Sequence, residues 1–485
     1  GMMAIAFGGV GQFVVFGISS AAGVFAALVF TVVVLPVLLE FWHPHPVVTK
    51  PKRKTLWRSA LRLFGMPFRA IGWVAGKTGL RWLLGATWLQ PQLDKIPAVS
   101  YAARYPIIAV FAALFAICAY GASQVRIDTN LVEVFREGTT LRQTYEIVDE
   151  HMAGTGAMEV MLDFDTLDAM TDPNVLKAID GFQNLLEDKY SRYVVRTNSL
   201  ADLVKETHRI MRDGDAQYYS IPDDPLAVSQ LLYLFNSSNP EDRQMLVSDD
   251  YSRSHIAIQM RNAGSSEYAA FFDEMNADLD ASFAPLLADY PAMTTEVTGS
   301  VAVLMRMMDV ISQSQFKSLT TAVIIISMIM MLTLGSIQGG LLSIVPNMLP
   351  AVLAFGLMGL FGVPLDTDTL MIAPLIIGIA VDDTIHFVTH YRMALARGRT
   401  MEEALKQTIR EVGQAVTFTS LVLGCGFFML TFSDYLGLAK VGSFGSLAIF
   451  VALLCDLLFL PALIYVFRPR FGIKPGTGKV IEGTV

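Results

Sequence analysis

Two adjacent acids and two histidines lie within nine residues near the end of a long apolar run: Asp382, Asp383, His386 and His390. On an α-helix, at about 100° per residue, they fall at about 0°, 100°, 40° and 80°, so they share roughly one quarter of the helix surface. Ionised carboxyl groups are costly in an apolar helix and usually face a bundle interior or a water-filled cavity. Because burial and a second nearby acid both favour the protonated form, we expect the pair to gain and lose a proton near physiological pH, with His386 as a relay.

Small and hydroxyl residues near this cluster are candidates for its support. Gly378 lies at the edge of the same arc and would let a neighbouring helix approach closely. Thr384 follows the two acids, and Thr417, Thr419 and Ser420 lie on the next apolar run, where their hydroxyl groups can bond to a carboxylate. We group these residues, together with His390, as motif support rather than as proton carriers.

Two other interpretations of the cluster stay open. The acids can instead pair with the histidines or with the hydroxyl groups as purely structural contacts. Asp382, His386 and His390 also have the i,i+4 spacing of a metal site, but nothing else in the sequence supports a metal, and no cofactor is expected. Asp456 is a further acid in an apolar run, and we expect it to hydrogen-bond a neighbouring helix.

The composition indicates an integral membrane protein with a sizeable polar domain. Of 485 residues, 53% are hydrophobic and 16% are charged, and the mean hydropathy is +0.48. The three cysteines, Cys118, Cys425 and Cys455, all lie in apolar runs, so we expect free thiols buried in helices. Seven runs are long enough to cross a bilayer, at about 13–41, 105–123, 318–335, 341–362, 369–390, 413–432 and 438–467.

The charges orient these runs. Residues 43–104 carry eleven Lys or Arg and one acid, whereas residues 124–315 carry 32 acidic and 14 basic residues. The positive-inside rule therefore places 43–104, the basic 391–412 connection and the tail 469–485 in the cytoplasm, and 124–315 outside. The 43–104 segment mixes cations with Trp, Phe and Leu, which predicts helices lying on the membrane surface; a plain basic linker is the alternative. No pattern suggests a nucleic-acid partner.

The outer region 124–315 shows two strand–helix–strand patterns. The first runs through 159–165, about 172–188 and 193–198, and the second through 254–262, about 266–287 and 294–300. Period-two alternation in the strands and a 3.6-residue period in the helices predict α/β subdomains, with a helical insertion at 220–235.

The first and last apolar runs resemble each other. Aligning Leu35-Pro36 with Leu460-Pro461 also aligns Gly17 with Gly442 and Phe7 with Phe432. We therefore expect residues 1–42 to be the remnant of a first repeat, and the chain to be the C-terminal part of a longer, internally duplicated protein. Chance similarity between two apolar segments is the alternative.

The stretch GIAVDDTIHF at 378–387, together with the preceding Pro-Asn-x-x-Pro at 346–350, resembles the resistance–nodulation–division (RND) superfamily. It is most similar to the MmpL-like and Patched-like lipid transporters, which include hopanoid exporters. The resemblance covers about 101–470 and implies a polytopic α-helical half: one helix at 105–123, an α/β porter-like periplasmic domain at 124–315, and five helices at 316–468. It also implies proton-coupled export, with Asp382 and Asp383 as the proton-carrying pair, and a related N-terminal half as partner.

The leading hypothesis is a non-enzymatic transporter of a bacterial inner membrane. It would use the proton-motive force to export lipidic or other hydrophobic molecules, with membrane lipids, the substrate and protons as its partners. Two alternatives remain: a sterol- or lipid-sensing membrane module without net transport, and a proton-driven accessory factor for protein export. The sequence decides neither the substrate nor whether the chain forms a homo-oligomer.

Overall fold

The computed structural model describes residues 11–41, 88–130, 132–238 and 243–469. Within these ranges the chain forms fifteen α-helices and one four-stranded sheet. Most of the predicted basic linker with its interfacial helices, residues 43–87, and nearly all of the predicted tail lie outside the described residues. The helices are α1 Gly11–Phe41, α2 Leu89–Leu93, α3 Ile96–Ala102, α4 Arg104–Ser123, α5 Thr140–His151, α6 Pro173–Lys189, α7 Leu200–Met211, α8 Pro225–Ser238, α9 Ser265–Phe283, α10 Ser300–Leu334, α11 Ile337–Leu360, α12 Ile372–Ala396, α13 Met401–Leu430, α14 Leu436–Leu454 and α15 Leu460–Phe467.

Among the described residues, seven helical segments are long and apolar enough to cross a membrane, in agreement with the seven predicted runs. They are Gly17–Leu38, Arg104–Ser123, Lys317–Leu334, Ile337–Leu360, Thr369–Ala396, Met401–Leu430 and Leu436–Phe467. The bundle is close-packed where glycines meet: a Cβ added at Gly121 on α4 would lie 2.2 Å from the Gly356 carbonyl oxygen on α11. Small residues allow such an approach between membrane helices.

Helix α13 begins about twelve residues before the predicted run at 413–432. Its start is set by a capping box, in which the Thr400 hydroxyl accepts from the Glu403 amide and the Glu403 carboxylate accepts from the Thr400 amide. These bonds satisfy amide groups that have no partner inside the helix. The helix therefore starts in the basic connection and enters the apolar run without a break.

The last predicted run, 438–467, is not one regular helix. A π-helical segment, Cys455–Phe459, joins α14 to α15. Pro461 explains the change, because proline has no N–H for the carbonyl of residue 457 and its ring crowds that carbonyl. Pro461 is visible in the sequence, but we predicted a single uninterrupted span at 438–467.

The outer region contains one sheet rather than separate subdomains. Strands β1 Gly156–Asp163, β2 Val194–Asn198, β3 Arg253–Met260 and β4 Thr294–Thr298 are ordered β2-β3-β1-β4, and all neighbours are antiparallel. The two predicted strand–helix–strand units are present, with α6 and α9 as their helices, but they interleave. This is the ferredoxin-like arrangement of two split β-α-β units. The predicted insertion at 220–235 is helix α8.

One face of the sheet and the two crossover helices form the core of this domain. Met158, Val160 and Leu162 alternate along β1 and are fully buried, opposite Ile258 and Ile256 of β3. Phe182 of α6 and Met275 of α9 belong to the same cluster. The period of two that predicted the strands thus arises because alternate side chains face the helices.

Backbone hydrogen bonds connect the outer domain to the membrane bundle beside α12. Ile127 bridges to Leu365, and the Asp128 amide donates to the Leu365 carbonyl at 2.9 Å. Asp366, which is buried, accepts from the Lys440 ammonium of α14 at 2.8 Å. These contacts place the outer end of α12 next to the stretch that leads from α4 into the outer domain.

Candidate functional site

The acids, histidines and Thr384 all lie on α12, which begins directly after a 3₁₀ turn at Thr369–Met371. That turn is closed by Asp366, whose carboxylate accepts from the Thr369 amide at 2.9 Å and from its hydroxyl at 2.9 Å. Pro374 stands in the first turn of the helix, where its lack of an N–H costs nothing. The outer end of α12 is therefore fixed by local bonds.

Asp382 and His386 lie on the surface of the described bundle. Their side chains are 76% and 65% exposed, and the Asp382 Oδ1 is 3.8 Å from the His386 Nε2. Both belong to the part of the predicted arc between about 0° and 40°. The structure thus brings one acid and one histidine together on an open face in the middle of a membrane-spanning segment.

Asp383 lies at the other edge of the arc and points toward α13. It is half-buried, and its Oδ2 accepts from the Ser420 hydroxyl at 3.4 Å. Thr417 and Thr419 do not join it: their hydroxyl groups donate to carbonyls of their own helix, at Gly413 and at Ala415 and Val416. Of the three hydroxyl residues predicted on this run, Ser420 alone contacts the acid pair among the described residues.

His390 contacts an acid that we did not predict from the sequence. Its Nδ1 is 2.9 Å from the Glu411 Oε2 on α13, and Gln407 donates to the other Glu411 oxygen at 2.8 Å. The four ionisable residues of the arc thus differ in their surroundings. Asp382 and His386 are exposed, Asp383 contacts Ser420, and His390 contacts Glu411 of α13 near the C-terminal end of α12.

Thr384 projects to the opposite side of α12, into the core. At 200° from Asp382, it is fully buried, with its hydroxyl 2.8 Å from the Asn347 Oδ1 on α11 and 2.6 Å from the Asp456 Oδ1 on the π-helical segment. Asp456 does hydrogen-bond a neighbouring helix, as expected. Gly378 is half-buried, and the tightest helix contacts of the bundle lie elsewhere, at Gly121, Gly356 and Gly359.

No cluster of three or more His, Cys, Asp or Glu residues among the described residues could hold a metal ion. The three cysteines are free thiols, and Cys118 and Cys455 are buried as predicted. Cys425 is exposed, so its prediction was wrong: it lies on the side of α13 that faces away from the bundle. An apolar run specifies that a segment is in the membrane, but not which of its faces meets lipid.

Residues 133–477 match the sequence profile of the MMPL family. The chain belongs to the MMPL family. A membrane protein of Methanocaldococcus jannaschii is 24% identical over 369 residues, which cover 74% of this chain and 88% of that protein. The hopanoid transporter HpnN of Rhodopseudomonas palustris is 27% identical over 167 residues, 34% of this chain and 18% of the relative.

Among solved structures, this MMPL chain is similar to the hedgehog release protein Disp from the water bear Hypsibius dujardini. The TM-score is 0.51 at 13% identity, covering 78% of this chain and 50% of that one. This structural similarity supports the RND-type fold alone. The chain thus spans half or less of the hopanoid transporter and of Disp, but most of the archaeal relative.

Three polar residues of this MMPL site were missed or left aside: Asn347, Glu411 and Asp456. Asn347 had a signal, because it stands between Pro346 and Pro350 in an otherwise apolar helix. Asp456 was noticed, but not as part of the site. Glu411 had no distinguishing signal, since it lies in a polar helical stretch with other charged residues.

Proposed function

We propose that this chain uses the proton-motive force to export lipidic or other hydrophobic molecules from a bacterial inner membrane. The observation that carries the proposal is the position of Asp382 and His386, two ionisable side chains 3.8 Å apart on an open face of a membrane-spanning helix. Ionisable residues at this depth are expensive and typically mark ion pathways. The match to hopanoid transporters supports a lipidic substrate.

Protons would enter and leave through the open part of the arc. Asp382 accepts a proton, and His386, one helical turn nearer the cytoplasmic end, passes it along the same face. Asp383 is the second acid of the pair, and the Ser420 hydroxyl holds its carboxylate in place. Each proton crossing the membrane releases about 2.3 kcal/mol per 100 mV, which is available to change the packing of α12.

The connection to the outer domain provides a path from proton binding to substrate movement. The turn before α12 bonds to Lys440 of α14 through Asp366, and Leu365 bonds to the stretch that enters the outer domain. A shift of α12 therefore acts on the base of that domain. The excess of 32 acidic over 14 basic residues in 124–315 supports a periplasmic position for the domain.

A second unit would cover the open acid face. A carboxylate and an imidazole facing lipid are unfavourable by several kcal/mol, so a protein surface or an enclosed water cavity is required there. We propose that the cover is a related RND-type unit, either the N-terminal half of a longer chain or a second copy of this one. The archaeal relative, covered over 88% of its length, supports the second copy.

Transport in vesicles tests the function. The purified chain is reconstituted in phospholipid vesicles that contain a hopanoid, a pH gradient is imposed, and hopanoid transfer to acceptor vesicles is measured. We expect gradient-dependent transfer that falls to the level of protein-free vesicles in Asp382→Asn and Asp383→Asn. Asp289→Asn, the same change at an exposed position of the outer domain, should leave the rate unchanged.

Two results would overturn the proposal. Equal transfer by the wild type and both asparagine variants would show that the acid pair carries no protons for transport. Hopanoid binding without any gradient-dependent transfer would favour a lipid-sensing module instead.

A further inference from the structure

Asp456 is a buried acid that the proposed proton pathway does not use. Its side chain is on the π-helical segment and the residue is 2% exposed. Its Oδ1 lies 2.6 Å from the Thr384 hydroxyl oxygen, and its Oδ2 has no hydrogen-bond partner among the described residues. π-helical turns inside α-helices often occur at functional sites, which is a reason to ask what state this carboxyl group is in.

The hydrogen bonds around Thr384 determine where the protons are. The Asn347 amide nitrogen donates to the Ser343 carbonyl at 2.8 Å, so the Asn347 Oδ1 must be the atom that faces Thr384. Turning the amide around would set two oxygens 2.8 Å apart at Ser343. The Asn347 Oδ1 is an acceptor only, and it therefore takes the single proton of the Thr384 hydroxyl.

Thr384 then has no proton left for Asp456. A carboxylate oxygen 2.6 Å from a hydroxyl oxygen, with no hydrogen between them, would be strongly repulsive. The contact is favourable if Asp456 carries the proton and donates it from Oδ1 to a lone pair of Thr384. The chain of donors thus runs from Asp456 to Thr384 to Asn347 to the Ser343 carbonyl.

The surroundings of Asp456 favour the same state. The elements packed on the π-helical segment are α3, α4, α11, α12, α14 and α15, and in the described part of the chain no Lys, Arg or His forms an ion pair with Asp456. The titratable groups acting on it are Asp383 of α12 and its own neighbour Cys455, and neither supplies positive charge. An ionised, unpaired carboxylate in this core would cost far more than a neutral acid with one unpaired carbonyl oxygen.

We propose that Asp456 is a second proton-binding site of this chain, and that its proton holds α12 against the π-helical segment through Thr384. Loss of the proton would place two acceptors in contact and push these elements apart. The packing of α12, which carries Asp383 next to Thr384, therefore depends on whether the Asp456 site is filled. The inference stands on this hydrogen-bond network and does not require that Asp382 and Asp383 drive export.

Infrared spectroscopy of the full chain in lipid nanodiscs tests the proposal, because a protonated carboxyl group has a C=O band separate from that of a carboxylate. At pH 7 we expect a protonated-carboxyl band that is lost in Asp456→Asn and retained in Asp382→Asn and Asp383→Asn. The asparagine amide at 456 is neutral and keeps a donor for Thr384, so this variant should fold. Loss of the same band in Asp382→Asn or Asp383→Asn alone, or no band lost in Asp456→Asn, would overturn the proposal.

A second pair of variants tests the partner without altering Asp456. Thr384→Val removes the acceptor and should shift the band, whereas Thr384→Ser keeps the hydroxyl group and should leave it in place. An unshifted band in Thr384→Val would contradict the assignment of the proton to this contact. No transport is measured, so these results and those of the hopanoid assay fail or succeed independently.

Discussion

Neighbouring residues on α12 have opposite surroundings, and the helix period is the reason. The side chain of Asp382, at 0°, is exposed. That of Asp383, at about 100°, contacts Ser420, and that of Thr384, at about 200°, is buried in the core. Three successive residues thus face the outside of the bundle, a neighbouring helix and a buried acid. A change of charge at Asp382 or Asp383 therefore acts on the backbone segment that the hydrogen bonds of Thr384 hold in the core.

The Ser420 hydroxyl should be more important for transport than the two threonines near it. Ser420→Ala removes the 3.4 Å contact with Asp383, and at about 0.5 kcal/mol for so long a hydrogen bond we expect transport to fall roughly twofold. Thr417→Val is the matched control, because its hydroxyl bonds only to the Gly413 carbonyl of its own helix. Both are measured in the hopanoid vesicle assay; equal losses in the two variants would show that the Ser420 contact has no specific role.

The sequence predicted the arc of α12 well, because spacing along one helix determines angles around it. It named Ser420 as a candidate partner of the acids, but it did not predict the other contacts of α12. Glu411 beside His390 and Asn347 beside Thr384 come from other helices, and their approach depends on how the helices are rotated and shifted in the bundle. A single sequence carries little information on those two quantities.

At the scale of elements, the buried ion pair between Asp366 and Lys440 links the turn before α12 to α14. The Asp366 side chain is 8% exposed and that of Lys440 is 24% exposed, at an N–O distance of 2.8 Å. The same turn bonds to the entry of the outer domain through Leu365. The Asp366–Lys440 ion pair therefore lies where the ends of α12 and α14 meet the base of the outer domain.

Removing the cation of this pair should destabilise the fold. Lys440→Met leaves Asp366 buried without its charge partner, which costs on the order of 3 kcal/mol. Lys177→Met is the control, since its pair with Asp223 is exposed and should contribute less than about 1 kcal/mol. Denaturant unfolding of the full chain in detergent measures both, and equal effects would show that the buried contact is not an important link.

The two crossover helices of the outer domain are joined by a charge cluster with a predictable pH dependence. Asp278 of α9 bonds to Lys189 at 2.5 Å and to the Tyr190 hydroxyl at 2.7 Å, and these bonds hold the pKa of its carboxyl below the usual 3.8. A carboxyl with a lowered pKa in the folded state stabilises that state above its unfolded pKa, and the contribution is lost as the pH falls through the folded value. Stability should therefore decrease below about pH 4.

Hydrogen exchange of α6 and α9 at pH 3 and pH 6 measures this dependence. We expect protection of the two helices to decrease at pH 3 in the wild type and to change less in Asp278→Asn, which has no carboxyl at this position. The same decrease in the wild type and in the variant would assign the pH effect to other groups.

The elements themselves were largely predictable, and the exceptions have physical causes. All seven membrane runs follow from the length of the apolar stretches, and the two strand–helix–strand units follow from hydrophobic periodicity. The interleaving of those units into one sheet does not, because the order of strands depends on long-range pairing. The π-helical segment before Pro461 was not predicted, although the proline that explains it is present in the sequence.

At the scale of the molecule, one face of the membrane bundle exposes ionisable side chains. This face bears Asp382 and His386, whose side chains are 76% and 65% exposed. A lone unit in a bilayer would leave them against lipid. The match over 88% of the archaeal relative's length favours the proposed pairing between copies.

Cross-linking tests this pairing. In a Cys425→Ser background, which removes the exposed thiol, Ile379→Cys places a cysteine in the same arc at about 60° from Asp382. We expect oxidation in lipid vesicles to link two copies through this position. Val422→Cys, on a 69% exposed face of α13, should remain unlinked. Linking at Val422 but not at Ile379 would place the partner on another face.

The dependence of export on protons is measured most directly in wild-type vesicles by adding a protonophore while hopanoid transfer is in progress. Coupled export predicts that transfer stops when the pH gradient and membrane potential collapse, and that it resumes when the gradient is restored in fresh vesicles. Transfer that continues at the same rate without a gradient would contradict proton-driven export by this chain.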